Sequence, residues 1–336
     1  DVDKDSYKYY KTVKGAFGKR LKSVMVPSQD GECTFTLKEG GRCPFLNDDN
    51  LCDLYIELGE DKLCETCAEF PRFINDYGNI REIGIAPSCK TAGELMFSYK
   101  DELTFDTVED NSLTLEPNDI DAYTYMHLRQ ARIVAFGIIS DRDISIFERL
   151  MLYLDYAKRI QKHLDAERDE LIAGVAKRFC GADYREELLD RLKSRDEKLH
   201  GKRLIKGLRH FFDDFKGMEV INPDWNIHVA RVRQFLDGLT DDSGLAAVMK
   251  TYHAGSEAFA HEYEQLAMYY VYRYMLDAVN DYDILLKAKN AVIGILAVDI
   301  MAAANQASGC MPDFTMRVDI AHLYSRQFEH SYYNYE

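Results

Sequence analysis

Six of the eight cysteines, Cys33, Cys43, Cys52, Cys64, Cys67 and Cys89, crowd into 57 residues near the start of the chain, while Cys180 and Cys310 stand alone in sequence of helical character. Thiolates bind soft or borderline metals, and the Cys64-x-x-Cys67 spacing is a short loop that lets two sulfurs meet one metal ion or cluster. Without a secretory signal the disulfide reading weakens, because a cytosolic chain keeps its thiols reduced and such clusters there are more often metal-binding or redox-active. Zinc and an iron–sulfur cluster are both open, with Cys43, Cys52, Cys64, Cys67 and Cys89 as the expected ligands.

A second group lies at the other end. Glu329 and His330 lie three and four residues after Arg326, a spacing that a helix gathers on one face. Such a group could hold a carboxylate through Arg326 and accept a proton through Glu329 or His330. The structural alternative is an Arg326–Glu329 helix ion pair with His330 as a cap. Between these ends, Tyr263, Tyr269, Tyr270, Tyr272 and Tyr274 crowd one helical segment. Aromatic walls of this kind attract cations, although most such tyrosines pack a core. His127 and His228 have no partner at a useful spacing. No two glycines are separated by a single residue, so the G-x-G of a dinucleotide fold is absent, and there is no G-x-S-x-G, H-E-x-x-H or P-loop. Nor does C-x-x-x-C-x-x-C occur.

These groups need elements to position them. With 46% hydrophobic and 29% charged residues over 336 positions, the chain can bury one or two sizeable cores. Strand-like pieces at Thr34–Leu37 and Ile80–Ile85 and a short helix around Leu51–Leu58 make residues 1–100 a small, irregular cysteine-rich α+β module. Asp101 to Tyr125 carries eight acidic residues and no Lys or Arg, so 101–117 reads as an acidic linker, with a turn at Pro117. From 118 to 336 helical period dominates, which predicts a mainly α protein with an all-α second domain. Ile144, Phe147, Leu150, Met151, Leu154, Ala157 and Ile160 recur on one face of a helix starting near Asp143. Similar patterns run through Glu186–Leu199, Val229–Leu239, Glu257–Val279, Ala288–Ala304 and Arg317–Glu329.

The net charge of −15 argues against nucleic-acid binding, whose footprint is basic, and suits a cationic partner. The most apolar stretch, Ala288–Ala304, is broken by Lys289, Asn290 and Asp299, so a membrane span is not expected. The opening Asp1-Val2-Asp3-Lys4-Asp5 has neither a starting Met nor an apolar signal segment. The chain therefore reads as cytoplasmic and N-terminally trimmed.

Several of these stretches also carry a family likeness. Cys43-Pro44-Phe45-Leu46, Leu51-Cys52-Asp53-Leu54-Tyr55, Leu63-Cys64-Glu65-Thr66-Cys67, Phe70-Pro71-Arg72 and Ser88-Cys89 together resemble the cysteine-rich core of the flagellin lysine N-methylases (FliB type). That core is itself similar to zinc- or iron-chelating cysteine-cluster domains. Tyr324-Ser325-Arg326-Gln327-Phe328-Glu329-His330-Ser331 with Asn334 is similar to the methylases' C-terminal signature, and the tyrosine-rich segment Glu264–Met275 fits as well. Family members usually begin with a further cysteine-rich stretch upstream, and Cys33 has no counterpart in the pattern.

The resemblance implies a protein-lysine N-methyltransferase that moves methyl groups from S-adenosylmethionine to lysine side chains of flagellin, with an iron–sulfur cluster as the cysteine-bound species. On that reading Glu329, His330 and Tyr324 are the expected catalytic residues, and Arg326 and Tyr270 the expected cofactor-binding residues. A lysine ammonium, with a reference pKa of about 10.4, must lose a proton before its nitrogen can attack a methyl group. Acidic and tyrosine side chains would serve. Two other classes compete: a non-catalytic metal-stabilised module that binds a filament protein, and an iron–sulfur redox or sensor protein.

Overall fold

The computed structural model describes residues 1–27, 33–111, 118–199, 203–309, 311–331 and 334. Cys310 and the turn at Pro117 lie outside these. The protein is mainly α, with a small α+β N-terminal part. Its contacts divide it into one unit of Asp1–Phe73 with Ile221–Pro223, and a second of Ile74–Val220 with Asp224–Glu336. The described part of the acidic stretch, 101–111, belongs to the second unit.

In the first unit, helices α1 (Lys4–Thr12) and α2 (Gly15–Val24) precede strands β1 (Met25–Pro27) and β2 (Cys33–Phe35) and two short helices, α3 (Asp53–Leu58) and α4 (Glu65–Glu69). Asp3 starts α1 by accepting the Ser6 amide at 2.8 Å, one of the donors a helix start leaves unpaired. The strands pair antiparallel with Val26 opposite Thr34. The core is Val2, Tyr10, Leu21, Cys33, Phe45, Leu54 and Cys64. Tyr10 is buried because its hydroxyl donates to the Lys62 carbonyl at 2.8 Å, and Phe35 packs edge-on against Phe45 at 4.9 Å. Each such buried ring or aliphatic chain contributes about 1.5–3 kcal/mol.

The second unit opens on a hairpin whose strands are β3 (Arg72–Tyr77, its last four residues in this unit) and β4 (Ile80–Ile85), followed by α5 (Lys90–Ser98), α6 (Ala122–Ile139) and α7 (Ile146–Leu164). Next come α8 (Ile172–Phe179), α9 (Ala182–Leu199), α10 (Arg203–Asp214), α11 (Asp224–Asp237) and α12 (Asp242–Ser256). The last are α13 (Ala260–Tyr274), α14 (Ala278–Asp281), α15 (Ile284–Ala307) and α16 (Phe314–Glu329). Helix α15 is the hub. It is apolar on nearly every side, and it packs against α7, α11, α12, α13 and α16, as a helix without a polar face must.

Helix α7 begins three residues later than its periodicity suggests, because Ser145 and Glu148 form a reciprocal capping box ahead of Ile146. Its buried face is also turned. Leu150, Ala157 and Ile160 are buried as expected, but Ile146, Arg149, Leu152, Tyr153 and Tyr156 join them, while Ile144, Phe147, Met151 and Leu154 are only half-buried. The polar ends of the unexpected residues find partners inside: Tyr156 donates to the Ala131 carbonyl at 3.0 Å and Arg149 to Glu264 at 2.6 Å. An apolar count passes over residues buried this way. Among the described residues no helix is long and apolar enough to cross a membrane.

Candidate active site

In the first unit Cys64 caps α4 and its carbonyl accepts the Cys67 amide at 2.8 Å, which brings the two thiols close. The Cys67 thiol draws the Cys64 thiol down to about 6, and the Cys64 thiol, with burial and the nearby Cys43 and Cys52, pushes Cys67 up. Four of the five expected ligands thus gather in one unit. Cys89 belongs to the other, where it precedes α5. Yet no group of three or more His, Cys, Asp or Glu side chains among the described residues is arranged to hold a metal ion. The five-cysteine ligand set is therefore not assembled. Part of the cause is that Cys64, like Cys33, is a core side chain: burial pushes the Cys33 thiol up, and Cys64 donates to the Asp1 carbonyl at 3.5 Å. Thiolate chemistry suits zinc or an iron–sulfur cluster, but the geometry does not supply the donors, so no chemical step is routed through a metal.

The second unit holds a different kind of site, built on α13. Every residue of that helix from Glu262 to Val271 is buried, so its polar side chains must find partners in the interior. Glu262 takes two bonds from Arg317, at 2.7 and 2.8 Å, one to each carboxylate oxygen. Glu264 is bound on both oxygens by Arg142 and Arg149. Beside them, Glu82 is likewise bound on both oxygens by Arg132.

Another buried carboxylate breaks this pattern. Glu329, at the end of α16, has its side chain 3% exposed. Its Oε2 accepts from Tyr269 at 2.5 Å, from Tyr274 at 2.8 Å and from the Arg273 guanidinium, while Oε1 is buried with no partner. Burial pushes the hydroxyls of Tyr269, Tyr270 and Tyr274 well up, with the Glu329 charge adding to it, so all three stay protonated donors. Burial works against the charge of Arg273, but Glu329, Tyr269 and Tyr274 overcome it and raise its pKa.

Glu329 lines a cavity of about 230 Å³ whose walls are Tyr270 and Tyr274 from α13, Tyr324 and Phe328 from α16, and Phe211 and Phe215 from α10 and the turn after it, with Asn290 and Ile293 from α15. Tyr324 stacks on Phe328 at 4.4 Å, and Trp225 closes edge-on against both. The two tyrosine walls reach this close to α15 because residue 294 is glycine: a Cβ there would meet the Tyr324 ring at 3.0 Å and the Tyr270 hydroxyl at 3.1 Å. A carboxylate with an unpartnered oxygen beside an aromatic box suits an N–H-bearing cation.

Of the residues expected from sequence, Glu329, Tyr324 and Tyr270 meet at this cavity. Arg326 and His330 do not line it. The expected Arg326–Glu329 ion pair does not form, because Arg273, one helix away, takes the carboxylate and leaves Arg326 half-exposed with no hydrogen bond or ion pair among the described residues. His330 ends α16, its Nε2 2.8 Å from Ser88 Oγ, with its pKa lowered by burial. Gln327, Ser331 and Asn334 serve a structural end: all three bind Glu219, next to the cavity residue Met218. Sequence reasoning missed Arg273, although its spacing of four from Tyr269 is the signal that two polar groups share a helix face.

A family model described as the FliB lysine N-methylase C-terminal domain matches residues 132–336, more than half of the chain and the whole of this cavity. No curated protein and no solved structure matches the chain.

Proposed function

The chain belongs to the FliB lysine N-methylase family, and on that premise we propose that it is a cytoplasmic enzyme transferring methyl groups from S-adenosylmethionine to lysine side chains of flagellin, with Glu329 as the group that receives the lysine. The observation that supports this most is a contrast among the buried carboxylates. Glu82, Glu262 and Glu264 have both oxygens bound, whereas Glu329 is the one, among the described residues, with a buried oxygen that has no partner, and it lines an aromatic cavity.

The chemistry follows from that arrangement. The aromatic walls strip water from an entering ammonium and lower its pKa, while Oε1 accepts its N–H. Proton transfer to Oε1 leaves a neutral amine whose lone pair attacks the electrophilic methyl carbon that bound S-adenosylmethionine supplies. The N–C bond forms as the C–S bond breaks, and the electron pair stays on sulfur. Three donors on Oε2 hold the carboxylate in place and keep it a weak base, so it acts together with desolvation rather than alone. Tyr270, Tyr274 and Tyr324 face the positive charge that passes from sulfur to nitrogen.

The size of the cavity suits a lysine side chain. Pockets that enclose whole ligands run from about 300 to 1,000 Å³. At about 230 Å³ this one takes a side-chain end and leaves the bulk of the donor outside. Incubation with S-adenosylmethionine and flagellin, followed by mass analysis of lysine, tests the activity. Methylated lysine is the expected product. Flagellin that binds while S-adenosylmethionine shows no binding by calorimetry, with no methyl transfer, would replace the enzyme with a docking module.

A further inference from the structure

A second cavity, of about 140 Å³, lies where the ends of α7 and α8 meet the start of α9. Its polar lining is Arg159, Lys162 and His163 from α7, Arg178 from α8 and Tyr184 from α9, over an apolar floor of Val175 and Phe179. No carboxylate lines it, in a chain whose net charge is −15. Arg159 gives only Nε to Asp155, at 2.5 Å, and Arg178 gives only Nε, at 3.4 Å, to the Gly174 carbonyl. Lys162 and His163 have no side-chain partner among the described residues. Basic residues in the last turn of a helix offset the negative end of its dipole. That accounts for each of them singly, but not for three permanent cations facing one cavity with their terminal donors unused.

We propose that this cavity is an anion site that takes a phosphate group. Two guanidinium forks and an ammonium converge from two helices, an arrangement that satisfies a tetrahedral dianion better than a flat carboxylate. The volume admits the phosphate alone, so the rest of a phosphorylated ligand lies outside it. The site is separate from Glu329 and its cavity and independent of the methyl-transfer reading.

The test is calorimetry with inorganic phosphate at low salt, on the whole chain and on a Lys162→Gln/Arg178→Gln double variant, with the His163 ring followed by NMR. Saturable binding is expected, with the His163 signals moving in step. The double variant should weaken it about tenfold or more, the usual effect of removing charge-assisted hydrogen bonds. Both substituted side chains are exposed, so circular dichroism and any methyl transfer should match the parent. Tighter binding of O-phosphoserine would point to a phosphorylated side chain as the source, and tighter binding of inorganic phosphate to the free ion. No saturation on the parent chain, equal binding by the variant, or the same response to sodium chloride at matched ionic strength would each overturn the site.

Discussion

Helix α13 carries two stretches of buried polar side chains that differ in one respect. At its start, Glu262 and Glu264 have every oxygen bound by arginines from α16, from α7 and from the turn ahead of α7. Toward its end, Tyr269, Arg273 and Tyr274 converge on one oxygen of Glu329 and leave the other buried and open. Both arrangements keep a charge in the interior, and both need several hydrogen bonds to do so. Only the second stores an unmet demand. Full satisfaction marks a group that holds the fold, and on the proposed reading the half-satisfied Glu329 beside its cavity is the one that receives a ligand.

The sharpest way to break this contrast is Glu329→Gln, which keeps the shape and an acceptor oxygen but removes the charge. Methyl transfer to flagellin should fall by about 10²–10⁴-fold, the usual worth of a positioned proton acceptor. The melting temperature should move much less than in the next variant. Parental turnover would erase the distinction between the two stretches. Next in size is Arg149→Leu, which leaves Glu264 with only the half-exposed Arg142. Breaking a buried pair costs about 3–5 kcal/mol, measurable by denaturant unfolding, while the fraction still folded should turn over normally.

Gly294→Ala probes the cavity from α15 and should cost about 1–3 kcal/mol through overpacking. It should also weaken substrate binding more than it weakens donor binding, read as separate titrations. The smallest effect is expected at Arg326→Ala. A half-exposed arginine without an ion pair should change stability by no more than about 1 kcal/mol and leave methyl transfer near the parental rate. A large loss of transfer in a variant that folds normally would return Arg326 to the reacting groups.

The sequence made much of this legible, and the misses have a common cause. The helical second part, the hairpin strand at Ile80–Ile85 and the crowded tyrosines could all be read from period and residue type. What could not be read was who pairs with whom across helices. Spacing on α16 points Glu329 at Arg326, but a buried carboxylate is claimed by whichever cation the packing brings into the interior, and that is Arg273 on α13. The same limit applies to α7, whose buried face includes Arg149 and Tyr156 because partners on other helices accept their polar ends. Cysteine spacing shows which thiols are near in sequence. It does not show that Cys33 and Cys64 are taken up as core side chains.

The bonding of α13 also has a mechanical consequence. A helix tied by charged pairs at Glu262 and Glu264 near one end and at Arg273 near the other cannot roll or slide without breaking all of them together. It is the stiff jaw of the vice. The facing jaw, Phe211 and Phe215, meets neighbours that include Trp225 and Phe328 through ring contacts at 4.7–5.4 Å, while α10 itself is held by ion pairs at Arg209 and Asp213. A side chain entering the cavity would thus meet a Glu329 carboxylate held in place by three donors on one oxygen.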